Sequence, residues 1–148
     1  MTISSQDIDD YFGRYAAALT NFDAGVSADL WATPGTIVDD RFSGVLDSRD
    51  AMVSGLEQSY PVYKQLGLAS VGYEIVDERP FSDRLVLVAV RWTFLDANGD
   101  TLTDSNPSYL LRRKDSGLRA TVSIQTDDME KLQALAESRG VDLASRSE

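Results

Sequence analysis

The side chains that most often take protons, attack carbonyls or hold metals are missing from this sequence, which contains no cysteine and no histidine. There is therefore no thiol nucleophile, no disulfide framework, no Ser-His-Asp arrangement and few of the usual zinc or iron ligands. Carboxylates, phenols and guanidinium groups must carry any reaction, and neither a metal nor an organic cofactor is expected. Asp39 closes the apolar, β-branched run Thr36-Ile37-Val38. A carboxylate turned into an apolar interior is costly unless it serves a purpose. The other reading leaves it at a strand end, exposed or paired with Arg41, Arg113 or a backbone amide. Arg113 follows Leu111 by two residues on one strand face, where it holds an anionic group or sits at a rim in solvent. The acidic run Asp96 to Asp104 lacks the twelve-residue spacing and closing glutamate of a calcium loop and reads as a solvated hairpin turn.

The elements that must position these groups follow from periodicity. Ser4 or Ser5 caps a first helix with Asp7, Asp9 and Asp10 near its start, and Ile8, Phe12, Tyr15, Ala16 and Leu19 form its apolar stripe. A short second helix carries Val26, Leu30 and Trp31 and stops at Pro34-Gly35. Thr36 to Phe42 reads as a strand broken by Gly44. Ser48 caps a third helix to about Leu66, with Met52, Leu56 and Tyr63 on one side. Period-two patterning then takes over. Val71, Tyr73 and Ile75 share a strand face, and Arg84 to Leu95 presents Val86, Val88, Val90, Trp92 and Phe94 as one apolar row. Asn98-Gly99 makes a turn. Ser108 to Lys114 and Leu118 to Thr126 are further strands, expected to add Leu111, Val122 and Ile124 to the same inner wall. A last helix, about Asp128 to Ser138, carries Met129, Leu132 and Leu135, ends at Gly140 and leaves a frayed tail.

Helices first and a meander of antiparallel strands afterwards, with no βαβ alternation, disfavour a doubly wound parallel sheet. With 148 residues, 43% of them hydrophobic, the chain forms one α+β domain: a cone-shaped barrel of curved antiparallel sheet around three N-terminal helices, plus a C-terminal helix. The net charge of −10, from 24 acidic against 14 basic residues, repels phosphate backbones and anionic lipid, so neither nucleic acid nor a membrane is an expected partner. No leader-like segment opens the chain, which makes the cytoplasm the default location. The outer sheet face mixes Leu85, Leu87 and Ala89 with Arg91, Thr121 and Ser123, a half-apolar surface suited to a homodimer.

Several segments together resemble the nuclear transport factor 2-like superfamily, including its SnoaL-like and ketosteroid isomerase branches. They are Arg14 to Leu19 with Asp23 and Leu30, Thr36 to Asp39, Ser48 to Met52, Arg91 to Phe94 with Asn98-Gly99, and Tyr109 to Arg113 closing at Asp115-Ser116-Gly117. The resemblance covers roughly residues 6 to 126, leaving the helix at 128–138 outside it. Laid against ketosteroid isomerase, Arg14 to Met52 runs without a gap. Tyr15 then matches the phenol that stabilises an enolate oxygen, and Asp39 the general base. Tyr109 stands where the family has a protonated aspartic acid, and Asp40 replaces the proline that follows the base.

Three functions follow. The leading one binds a small, largely apolar molecule in the cone, against Phe12, Met52, Val88, Val90, Trp92, Leu111, Arg113 and Val122. The second is a cofactor-free isomerase, cyclase or dehydratase with Asp39 as base and Tyr15 and Tyr109 as donors. The third is a self-filled dimerisation or interaction module.

Overall fold

A computed structural model describes residues 3–40, 43–126 and 128–140. The expectations for Arg41, Phe42, the Met129 side chain and the tail after Gly140 lie outside these. Helix α1, Ser5–Thr20, starts at a capping box in which the Ser4 hydroxyl accepts from the Asp7 amide and the Asp7 carboxylate accepts from the Ser4 amide. Its stripe buries Ile8, Tyr11, Phe12, Tyr15 and Ala16. Helix α2, Ala24–Asp29, is capped by Asp23 and ends one residue before the fully buried Leu30.

The Leu30 carbonyl accepts from the Tyr11 hydroxyl at 2.7 Å and from the Ala120 amide at 2.9 Å. That second bond ties the chain to the sheet, so Trp31 opens strand β1, Trp31–Val38, instead of ending α2. Pro34 and Gly35 lie within the strand, not at a helix stop. Gly44 does not end strand structure either: β2, Ser43–Leu46, pairs antiparallel with β1, Gly44 opposite Ile37. Helix α3, Arg49–Gln65, is capped by Ser48 as its sequence predicts. Strands β3 (Ser70–Pro80), β4 (Leu85–Leu95), β5 (Thr101–Ser105), β6 (Ser108–Lys114) and β7 (Gly117–Ile124) follow, and helix α4 spans Asp128–Ser138.

Among the described residues the strands form one curved sheet that does not close, ordered β2-β1-β7-β6-β4-β3. Strand β5 pairs with β4 beyond the point where β6 leaves it. The sheet is mixed rather than purely antiparallel, because β1 runs parallel to β7. The acidic hairpin is shorter than expected. Asp96 to Asp100 makes the turn, with Gly99 at φ +83°, while Thr101 onward is strand.

The inner face packs Val86, Val88, Val90 and Trp92 of β4, with Tyr109 and Leu111 of β6, on the α1 stripe. Strand β7 departs from simple alternation. Leu110 pairs with Val122 while Leu111 pairs with Ala120, so Thr121 is an extra residue and the facing parity flips there. Leu118 and Ala120 point inward before this bulge and Ser123 after it. Val122 and Ile124, expected on the inner wall, therefore lie on the outer face, and Ser123 leaves it. No helix among the described residues is long and apolar enough to cross a membrane.

Candidate functional site

Between the concave sheet and α3 lie two adjoining cavities, of about 250 and 370 Å³. The first is walled largely by aromatic rings, with Phe22, Tyr60, Tyr63, Trp92 and Phe94 among them. The second has more aliphatic wall, with Ala28, Ile37, Leu46, Ala51 and Met52 beside Trp31 and Ser123. Tyr15, Leu56, Tyr109 and Gln125 line both. Helix α1 brings Tyr15 to this position, because it lies one turn beyond Phe12 on the buried stripe, three residues on. Strand β6 brings Tyr109, opposite Ser123 in register, to the same place, and the two rings stand 5.9 Å apart.

Each phenol is held by an indole. Trp31 Nε1 donates to Tyr15 Oη and Trp92 Nε1 to Tyr109 Oη, both at 2.9 Å. An indole N–H only donates, so these contacts use acceptor capacity and leave the Tyr15 proton available to a ligand. Burial pushes the Tyr15 phenol above its ordinary value, opposed by hydrogen bonds from Trp31 and Tyr109. Tyr15 is therefore a neutral donor at any physiological pH. Among the described residues no Asp, Glu, Lys or Arg lines either cavity, and no acidic cluster is arranged to hold a metal ion.

Of the residues singled out from sequence, Tyr15, Tyr109, Met52 and Trp92 come together around the cavities. Phe12, Val88, Val90 and Leu111 are 0–1% exposed and fill the core behind the cavity walls. Val122 is on the outer face. Asp39 is half-buried directly after β1, two residues past Ile37, which lines the aliphatic cavity; Asp39 itself does not line it. Arg113 faces elsewhere, beside a charged surface hollow with Asp83, Arg84, Lys114 and Asp115. There it pairs with Asp7 at 2.8 Å. The Ser4 amide and hydroxyl, then Arg113, hold that carboxyl below its usual range.

Trp31, Phe22 and Gln125 were not anticipated as site residues. Trp31 carried a legible signal, since a tryptophan half-buried on any element needs an acceptor for its N–H. Phe22 adopts φ 52°, a left-handed turn residue between α1 and α2 that sequence gives no reason to place at a cavity wall.

Residues 5–128 match the family of NTF2-like proteins designated DUF6841. The chain belongs to this family. Solved structures share the NTF2-like fold at low identity. An NTF-2 like protein of unknown function from Shewanella oneidensis matches with TM-score 0.68 and 16% identity, over 83% of this chain and 98% of that one. A domain of unknown function with a cystatin-like fold from Nostoc punctiforme gives 0.67 and 15%, over 97% and 92%. A ketosteroid isomerase-like protein from Erwinia carotovora atroseptica gives 0.58 and 16%, over 82% and 93%. No curated protein matches. At these identities the likeness speaks for the NTF2-like fold, which hosts many activities.

Proposed function

We propose that this NTF2-like domain binds a small, uncharged and largely apolar molecule that carries a hydrogen-bond acceptor. One observation carries the reading: a buried, neutral phenol, Tyr15, stands between two apolar cavities whose described walls hold no charged side chain. Such walls reward apolar surface and penalise ions, and a donor fixed between the two cavities orients what enters. Both tryptophans of the chain line the cavities, Trp92 one and Trp31 the other, so intrinsic fluorescence reports occupancy directly. A titration with apolar ketones should give saturable quenching. Tyr15→Phe should weaken ketone binding up to about tenfold, the worth of one hydrogen bond, and leave matched hydrocarbons unaffected. If no apolar compound quenches either tryptophan, the reading fails.

A second reading is a proton-transfer isomerase. It is favoured by the two adjacent phenols and by the position of Asp39 just past the cavity-lining Ile37. Asp39 would take a proton from carbon beside a ketone while Tyr15 donates to the enolate oxygen, and the same carboxyl would return the proton further along the conjugated system. A β,γ-unsaturated ketone tests it. Turnover abolished by Asp39→Asn supports catalysis; binding without turnover, indifferent to that substitution, supports the passive binder.

A further inference from the structure

The two cavities share four wall residues yet differ in character, and this difference says what shape of molecule they suit. Single small-molecule sites usually enclose roughly 300–1,000 Å³. At about 250 and 370 Å³, one cavity is below that range and the other near its lower end, while the pair falls well inside it. Leu56 projects from α3 and Gln125 follows β7, both half-buried, and rotation about their side-chain bonds sets the width of the waist. Tyr15 stands at that waist with its acceptor side taken by Trp31 Nε1, so its own proton is what it offers.

The aliphatic cavity also reaches the surface. Ala51 and Gly55 line it, are exposed, and lie one helical turn apart on α3, so the opening is framed by the smallest side chains. A Cβ added at Gly55 would meet nothing within 4 Å. The site thus has an aromatic compartment, a polar waist and an aliphatic compartment that opens beside Ala51 and Gly55.

Resting on the binding reading above, we infer that the two cavities form one site for a single elongated molecule. Its aromatic group occupies the Trp92 cavity, its uncharged acceptor oxygen meets the Tyr15 hydroxyl at the waist, and its alkyl arm runs through the Trp31 cavity to the Ala51–Gly55 opening. Aryl alkyl ketones have this chemistry.

The chain's two tryptophans, one in each cavity, make the test direct. The full-length protein is labelled with 5-fluorotryptophan, and its two fluorine resonances are assigned with Trp31→Phe. It is then titrated with acetophenone, octanophenone and octylbenzene, with stoichiometry from calorimetry. Octanophenone should shift both resonances along one isotherm at one molecule per chain. Acetophenone should shift the Trp92 resonance, and octylbenzene, lacking the acceptor, should bind about tenfold more weakly than octanophenone. Gly55→Leu adds bulk where a Cβ has room and raises helix propensity, so it should fold. It should bring octanophenone down to the affinity of acetophenone and leave acetophenone unchanged. Two ketones per chain, separate isotherms for the two resonances, or octanophenone shifting only one of them would overturn the shared site while leaving the binding reading intact. Silence of both resonances toward every compound would overturn both.

Discussion

Phe12 shows how the core and the site depend on one side chain. It is fully buried, and its ring lies 4.9 Å from Tyr11, 5.4 Å from Tyr109 and 5.9 Å from Trp92, centroid to centroid. It therefore supports both the phenol and the indole of one half of the site from behind. Phe12→Ala should cost about 3–5 kcal/mol in urea unfolding, the range for a buried aromatic replaced by a cavity. It should also weaken ketone binding by letting Tyr109 and Trp92 lean into the space. A loss under about 1 kcal/mol would show that the neighbours collapse without penalty. The Tyr15 phenol makes a second prediction of the same kind. Its folded-state value is raised above 10.0, so the donor proton is retained up to at least that pH. Ketone affinity measured by fluorescence should stay level from neutral pH upward to 10.0, and a decline across the interval would assign the donor to another group.

Helix α4 carries an ion pair to the sheet that titrates. Asp104 on β5 takes Lys131 of α4 at 2.8 Å and Arg91 of β4 at 3.2 Å. Lys131 first, then Arg91 and Asn106, hold its carboxyl below the ordinary value of 3.8. A lowered folded-state value gives stability that is present above 3.8 and is lost as pH falls through the folded value. Amide exchange across α4 should thus quicken below that pH, and Asp104→Asn should show the quickened rate already at neutral pH. Because Leu132 of α4 lines the aromatic cavity, the same variant should loosen ligand there. Strand β1 has its own constraint. A Cβ on Gly35 would lie 2.7 Å from Trp31 Cε3 and 2.9 Å from Met52 Cε, so Gly35→Ala must push the indole off Tyr15. A destabilisation of about 1–3 kcal/mol with shifted tryptophan emission is expected; an unchanged spectrum would mean that the β1 backbone shifts and the indole keeps its place. The elements legible in sequence were those whose signals are local: the α1 stripe, the Ser48 cap, the period-two row of β4 and the Asn98-Gly99 turn. The parallel pairing of β1 with β7, the short strands β2 and β5, and the Thr121 bulge were not, since each is decided by a partner distant in sequence. The bulge carried the larger consequence for the site, because a one-residue slip sent Val122 outward and Ser123 inward. Likewise the sequence pattern places Trp31 on a helix, so its bond to Tyr15 is not legible there although the candidate role of Tyr15 is.

The outer surface of the sheet is where the molecule as a whole has an unsolved problem of exposure. Register aligns Leu87, Leu110, Val122, Thr36 and Val45 in one row across five strands, with Val38 and Ile124 paired beside it. Val45 is 59% and Ile124 42% exposed, an apolar band wider than scattered surface hydrophobes explain. Its flanks carry both signs: Glu74, Asp77 and Arg79 lie on β3 beside Arg91 of β4, and Arg112 and Arg119 lie on β6 and β7. In a chain of net charge −10 this face carries arginines as well as carboxylates, and flanks of both signs suit a twofold contact in which each copy supplies both. We propose that a second copy of the chain covers it. Sedimentation at micromolar concentration should give twice the chain mass. Val122→Asp places a carboxylate in the middle of the band on both copies, where it can be solvated only in the monomer, and should halve the mass without changing the circular dichroism. A wild-type monomer would leave the face to another partner, and a dimer that survives Val122→Asp would move the contact to a different surface. The cavities and their mouth at Ala51 and Gly55 lie on the opposite, inner side, so the monomeric variant should bind octanophenone as the dimer does.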